Sequence, residues 1–81
     1  MSDCFIILNI KKDPEPNLIQ IDCLIGKEQH KYKLKFEGLG VSIPGELENT
    51  ITQSIKRSKQ FIEIVFAFHE GEEIKFPIEL I

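Results

Sequence analysis

Phe61-Ile62-Glu63-Ile64-Val65-Phe66-Ala67-Phe68 contains the longest unbroken apolar run of the chain, Ile64 to Phe68. Taken with a period of two, Ile62, Ile64, Phe66 and Phe68 fall on one side, and Phe61, Glu63, Val65 and Ala67 on the other. A segment that is apolar on much of both sides reads as an inner strand of a sheet. The residues before it set its direction. Ile43, Leu47, Ile51 and Ile55 recur every four positions and line one stripe of a helix, expected from about residue 44 to about residue 60. Ser42 is the expected N-cap and Pro44 suits the first turn. Glu46 and Glu48 near the start, and Lys56, Arg57 and Lys59 near the end, match the helix dipole.

Upstream of that helix, three more segments alternate. Cys4 to Lys11 places Cys4, Ile6, Leu8 and Ile10 on one face and Phe5, Ile7, Asn9 and Lys11 on the other, which reads as a second inner strand. Asp13-Pro14-Glu15-Pro16-Asn17 is a turn, because two prolines fix φ and remove donors. Leu18 to Ile25 puts Ile19, Ile21, Cys23 and Ile25 on one side. Gly26-Lys27-Glu28-Gln29 then turns the chain. In His30 to Glu37, Tyr32, Leu34 and Phe36 alternate with Lys31, Lys33 and Lys35, so a lysine row faces water along a half-buried strand. Gly38-Leu39-Gly40 ends it. Downstream, His69 to Glu73 is an acidic tip, and Ile74 to Ile81 alternates again. Pro77 places that last segment at a sheet edge, since it cannot donate to a ladder.

The order is therefore βββαββ in one α+β domain. Strand four, returning after a right-handed helical crossover, should run parallel to strand one. The expected sheet is a single five-stranded mixed sheet in the order 3-2-1-4-5, with a parallel pair 1/4 and one helix packed on one face. Pairing strands two and three across the four-residue turn sets Cys23 opposite Tyr32, Ile21 opposite Leu34 and Ile19 opposite Phe36.

The totals narrow the function. The chain has 81 residues, 42% hydrophobic and 28% charged, which is globular composition. Its net charge of −3 argues against a pure phosphate-neutralising module. No apolar stretch approaches the roughly 20 residues of a membrane span, so no membrane partner is expected. Met1 to Cys4 has no basic region ahead of an apolar stretch, so no signal peptide is expected and the cytoplasm is the default setting. Cys4 and Cys23, with no CxxC, are expected as two reduced thiols in the core.

No catalytic set emerges, and the chain is read as a non-enzyme. His30 and His69 fall at opposite ends of the proposed sheet and cannot share an ion. The cysteines have no histidine in obvious reach to act as base. Glu70, Glu72 and Glu73 lack the ligand order of a calcium loop. Gly38-Leu39-Gly40 has no lysine at the step a phosphate-cradling loop needs. No cofactor and no metal are expected.

What remains is surface. One helix, about 10–12 Å across, does not cover five strands spanning about 19 Å. The face away from the helix would present Phe5, Ile7, Leu24, Phe61, Val65 and Ala67 as an apolar strip rimmed by charge, which is interface anatomy. The leading expectation is a small interaction module that self-associates, as a homodimer, or docks a protein partner, through that face or through an open edge strand. The alternative is a nucleic-acid-associated module that uses the Lys31, Lys33 and Lys35 ridge.

Overall fold

The computed structural model describes residues 4–81. The reading of the N-terminal end as carrying no signal sequence therefore falls largely outside the described residues. Five strands and two helices follow in the order β1 (Phe5–Lys12), β2 (Leu18–Ile25), β3 (Glu28–Glu37), β4 (Gly40–Ser42), α1 (Gly45–Ile51), α2 (Ile55–His69) and β5 (Ile78–Leu80). The strands form one curled sheet in the order β4-β3-β2-β1-β5, and every pairing is antiparallel.

The α+β class holds, but the mixed sheet with a parallel pair and a single helix does not. Phe61–Phe68, expected as an inner strand, is the second half of α2. An apolar run on both parities carries no strand-specific period, and the helix has its own start signal. Ser54 caps it, its side chain accepting from the Arg57 N–H at 3.2 Å. Arg57, Phe61 and Val65, four apart, are the residues α2 buries. The single helix expected over about 44–60 is broken at Thr52 and Gln53. Thr52 Oγ1 donates to the Glu48 carbonyl at 2.7 Å, and the cap of α2 follows two residues later. Ser42 ends β4 instead of capping α1, whose N-cap is Pro44. With no fourth strand after the helices, β5 pairs antiparallel to β1, setting Phe5 against Leu80 and Ile7 against Ile78. It is confined to three residues just past Pro77.

The two hairpins of β2, β3 and β4 follow from glycine. Gly26 and Gly38 have φ of +62° and +57° and occupy the first position of two-residue turns, where glycine meets a positive φ without a side-chain clash. The β2–β3 turn is thus two residues and not four. The register moves by two, to Cys23 opposite His30, Ile21 opposite Tyr32 and Ile19 opposite Leu34. A shift of two leaves every side chain on its expected face.

β1 behaves differently. Its pairing with β2 is interrupted between Ile7 and Asn9, so Leu8 is the extra residue of a bulge. The bulge reverses the parity. Phe5 and Ile7, expected on the helix-free face, lie on the helix side with Ile10. They join Ile21, Cys23, Leu34, Leu47, Ile51, Phe61 and Val65 in one core. Arg57 is the buried charged residue of this core at 3% exposure. Its guanidinium donates to the Thr50 carbonyl at 3.2 Å and lies over the Phe5 ring at 5.8 Å, so it ties the end of α1 to the sheet.

Candidate interaction surface

The helices cover one face of the sheet. The other face is described by rows running across the strands. Ile6, Leu24 and Gln29 make one row, Asn9, Asp22 and Lys31 the next, and Lys11, Gln20 and Lys33 a third. Leu18 and Lys35 continue the pattern. The result is a small aliphatic patch of half-buried Ile6, Leu8 and Leu24 at one end, grading into a basic surface at the other. A shallow groove of about 190 Å³ lies within the basic part, lined by Lys11, Gln20, Asp22, Lys31, Tyr32 and Lys33.

Of the interface residues expected from the sequence, Phe5, Ile7, Phe61 and Val65 are 0% exposed and have no surface to offer a partner. Two are core because of the bulge, and two because their segment is helical. Ala67 is half-buried on α2, and Leu24 alone lies on the helix-free face as expected. Sequence reasoning assigns Ile6 and Leu8 to the opposite face and so misses them. With apolar residues on both parities of β1, the bulge that moves them leaves no signal in the pattern. Lys31, Lys33 and Lys35 are exposed along β3, as the alternation implied.

The basic end is ordered by Asp13, at the start of the β1–β2 turn. Gln20 Nε2 donates to Asp13 Oδ2 at 2.6 Å, the Glu15 N–H donates to Oδ1 at 3.0 Å, and Lys33 Nζ stands 3.5 Å from Oδ2. The Gln20 hydrogen bond, then that from Glu15, with a smaller contribution from the lysine, holds the carboxyl below its ordinary value. Lys35 is 3.9 Å from Glu37, and both side chains are exposed, so this ion pair is weak.

The other candidates from the sequence are not brought together. His30 stacks on Tyr32, with ring centroids 5.8 Å apart, while His69 stacks on Phe36 at 3.8 Å. No group of three or more His, Cys, Asp or Glu that could hold a metal ion occurs among the described residues. Cys4 is exposed and not in the core; Cys23 is buried, and both are free thiols. Burial, reinforced by Asp22, pushes the Cys23 thiol up to about 11. Alkylation at neutral pH is therefore expected to mark Cys4 and to reach Cys23 only on unfolding, read by mass spectrometry of the labelled chain. Arg57, expected in a basic cluster at a helix end, is in the core. Glu63 is exposed on α2, away from Asp22 on β2.

The outer edge of β3 completes the surface. β4 pairs only with Lys35–Glu37, so Glu28–Leu34 has no strand on that side among the described residues. The Phe36 N–H donates to the Asn17 carbonyl at 2.8 Å, so even-numbered residues of β3 bond toward β2. By alternation, the main-chain groups of Gln29, Lys31 and Lys33 point outward.

Compared with known proteins, the chain matches no family model, no curated protein and no solved structure. The fold and surface define its class as an antiparallel α+β module, and no helix among the described residues is long and apolar enough to cross a membrane.

Proposed function

We propose that this chain is a small non-enzymatic interaction module that docks a protein partner through its helix-free sheet face. The observation that carries the reading is the coincidence of three features on one side of the molecule. These are the aliphatic Ile6, Leu8 and Leu24, the exposed lysines of β3, and a β3 edge over Glu28–Leu34 with no neighbouring strand among the described residues. An apolar patch bordered by charge is how transient interfaces are built. A cytoplasmic setting belongs to this reading and is supported by the two free thiols.

Docking of nucleic acid through the same lysines is the weaker reading. Single-stranded binders stack bases on rings beside their basic groups. Here Phe5, Phe36 and Phe61 are core and Phe66, Phe68 and Phe76 pack against it. Among the described Phe and Tyr rings Tyr32 alone lines the groove with the lysines, and it is partly covered by the core and stacked on His30, which is less than a row of stacking platforms.

The test compares affinity capture by the unaltered chain, by Leu24→Asp, and by Lys59→Asp on the exposed surface of α2. A partner kept by the first and third and lost by the second supports the reading. A partner lost only with the α2 variant, or kept by all three, overturns it. Gel filtration at two concentrations reports self-association in the same samples.

A further inference from the structure

Three places in the fold carry chemistry beyond the face itself: the β3 edge, the cleft of about 260 Å³ between the β1–β2 turn and the end of α2, and the acidic tip after α2. In the cleft, the Asp13 carboxylate is already held by Gln20 and Glu15. The acidic tip has no second feature pointing to a ligand. The β3 edge offers main-chain groups and side-chain charge in register.

We infer that the outer edge of β3, over Gln29–Leu34, takes up an extended acidic segment of a protein partner as an added strand. The inference rests on the docking-face reading and names its occupant. A chain laid along this edge meets the outward N–H and C=O groups of Gln29, Lys31 and Lys33, the way a strand is added to an exposed sheet edge. Its alternate side chains then fall on the helix-free face, beside Lys31 and Lys33, with Lys35 in the next row along β3 and Lys11 in the row of Lys33, two strands inward. Against these lysines stand Asp22 on the middle strand and Asp13, 3.5 Å from Lys33, with Glu37 3.9 Å from Lys35 beyond the open stretch. Lys11, Lys31, Lys33 and Lys35 still outnumber them, so carboxylates on the incoming strand are favoured, most of all opposite Lys31. The other side chains of the added strand fall on the side of the stacked His30 and Tyr32 rings.

Charge also selects against a second copy as occupant. A copy pairing antiparallel about Lys31 or Lys33 sets lysine opposite lysine, and like charges directly opposite are destabilising. A nucleic acid has no peptide backbone whose regularly spaced N–H and C=O groups could continue the ladder.

The experiment uses the full chain, isotopically labelled, with an eight-residue peptide of alternating Glu and Thr with blocked ends. A Lys–Thr peptide and an eight-nucleotide single-stranded DNA serve as comparison probes. Binding of the Glu–Thr peptide alone is expected, with the largest amide shift changes at Gln29, Lys31 and Lys33 and slowed hydrogen exchange at those amides. Lys31→Glu with Lys33→Glu is expected to weaken it by at least about tenfold and to admit the Lys–Thr peptide instead. This exchange of preference separates recognition from a folding defect. Equal binding of both peptides, preference for the DNA, a dimer that the double variant strengthens or leaves intact, or shifts confined to α2 would each overturn the inference. Loss of the partner with Leu24→Asp, together with no response to the acidic peptide, would overturn this inference alone and leave the docking face standing.

Discussion

On the helix-covered side of the sheet, Phe5, Ile7, Ile21 and Leu34 are fully removed from water, whereas Ile6, Leu8, Leu24 and the β3 lysines on the other side keep part or all of their side chains in it. Both faces come from the same strands. What separates them is that α1 and α2 bring Leu47, Ile51, Phe61 and Val65 to one side only. On the docking reading proposed above, stability and recognition fall on opposite faces, and substitutions should have opposite signatures on the two.

The sharpest contrast is Phe61→Ala against Leu24→Ala. Phe61 meets Phe5 edge-on, with ring centroids 6.1 Å apart, in the centre of the core. Its truncation is expected to cost about 3–5 kcal/mol in urea unfolding, a large part of what a domain this small possesses. Leu24→Ala is expected to cost about 1 kcal/mol or less, because its side chain is never fully taken from water. Equal losses would dissolve the distinction between the faces.

Next comes Ser54→Ala, expected to lower stability by about 1 kcal/mol through loss of the α2 cap. It should leave binding through the open face unchanged, which calorimetry against a captured partner would check. Lys33→Ala lies at the small end, within about 0.5 kcal/mol of the unaltered chain, since exposed ion pairs contribute little. Its effect should appear in binding.

Acid sharpens the comparison at the boundary between turn and face. The folded Asp13 carboxyl titrates below its ordinary value of 3.8. Its contribution to stability is complete above that value and is lost as pH falls through the lowered one. Asp13→Asn should therefore lower stability at neutral pH and converge on the unaltered chain in acid, flattening the acid limb in that interval, as followed by thermal melts across pH.

The strands are readable where one parity is polar. Lys31, Lys33 and Lys35 against Tyr32, Leu34 and Phe36 place β3 without ambiguity, and the shorter β2–β3 turn changes no face because a shift of two preserves parity. Where both parities are apolar, the pattern is silent. Phe5–Leu8 hides a bulge that moves Phe5 and Ile7 into the core, and Phe61–Phe68 fits a strand as well as a helix until Ser54 and the Arg57, Phe61, Val65 spacing are weighed. Phe5, Ile7, Phe61 and Val65 all come from those two segments, which is why they lie in the core, whereas Leu24 and the lysine row lie on the helix-free face where the alternation puts them. The expected order 3-2-1-4-5 already places strand three at an edge; what the sequence does not reveal is β4, which covers Lys35–Glu37 and stops at Ser42, leaving Glu28–Leu34 open.

The most direct measurement is amide hydrogen exchange along β3 in the free chain at a concentration where it is monomeric. An open edge predicts that Lys31 and Lys33 exchange with little protection while His30, Tyr32 and Leu34, bonded to β2, exchange slowly. Protection of Lys31 and Lys33 equal to that of Tyr32 would show the edge already occupied and would contradict the account.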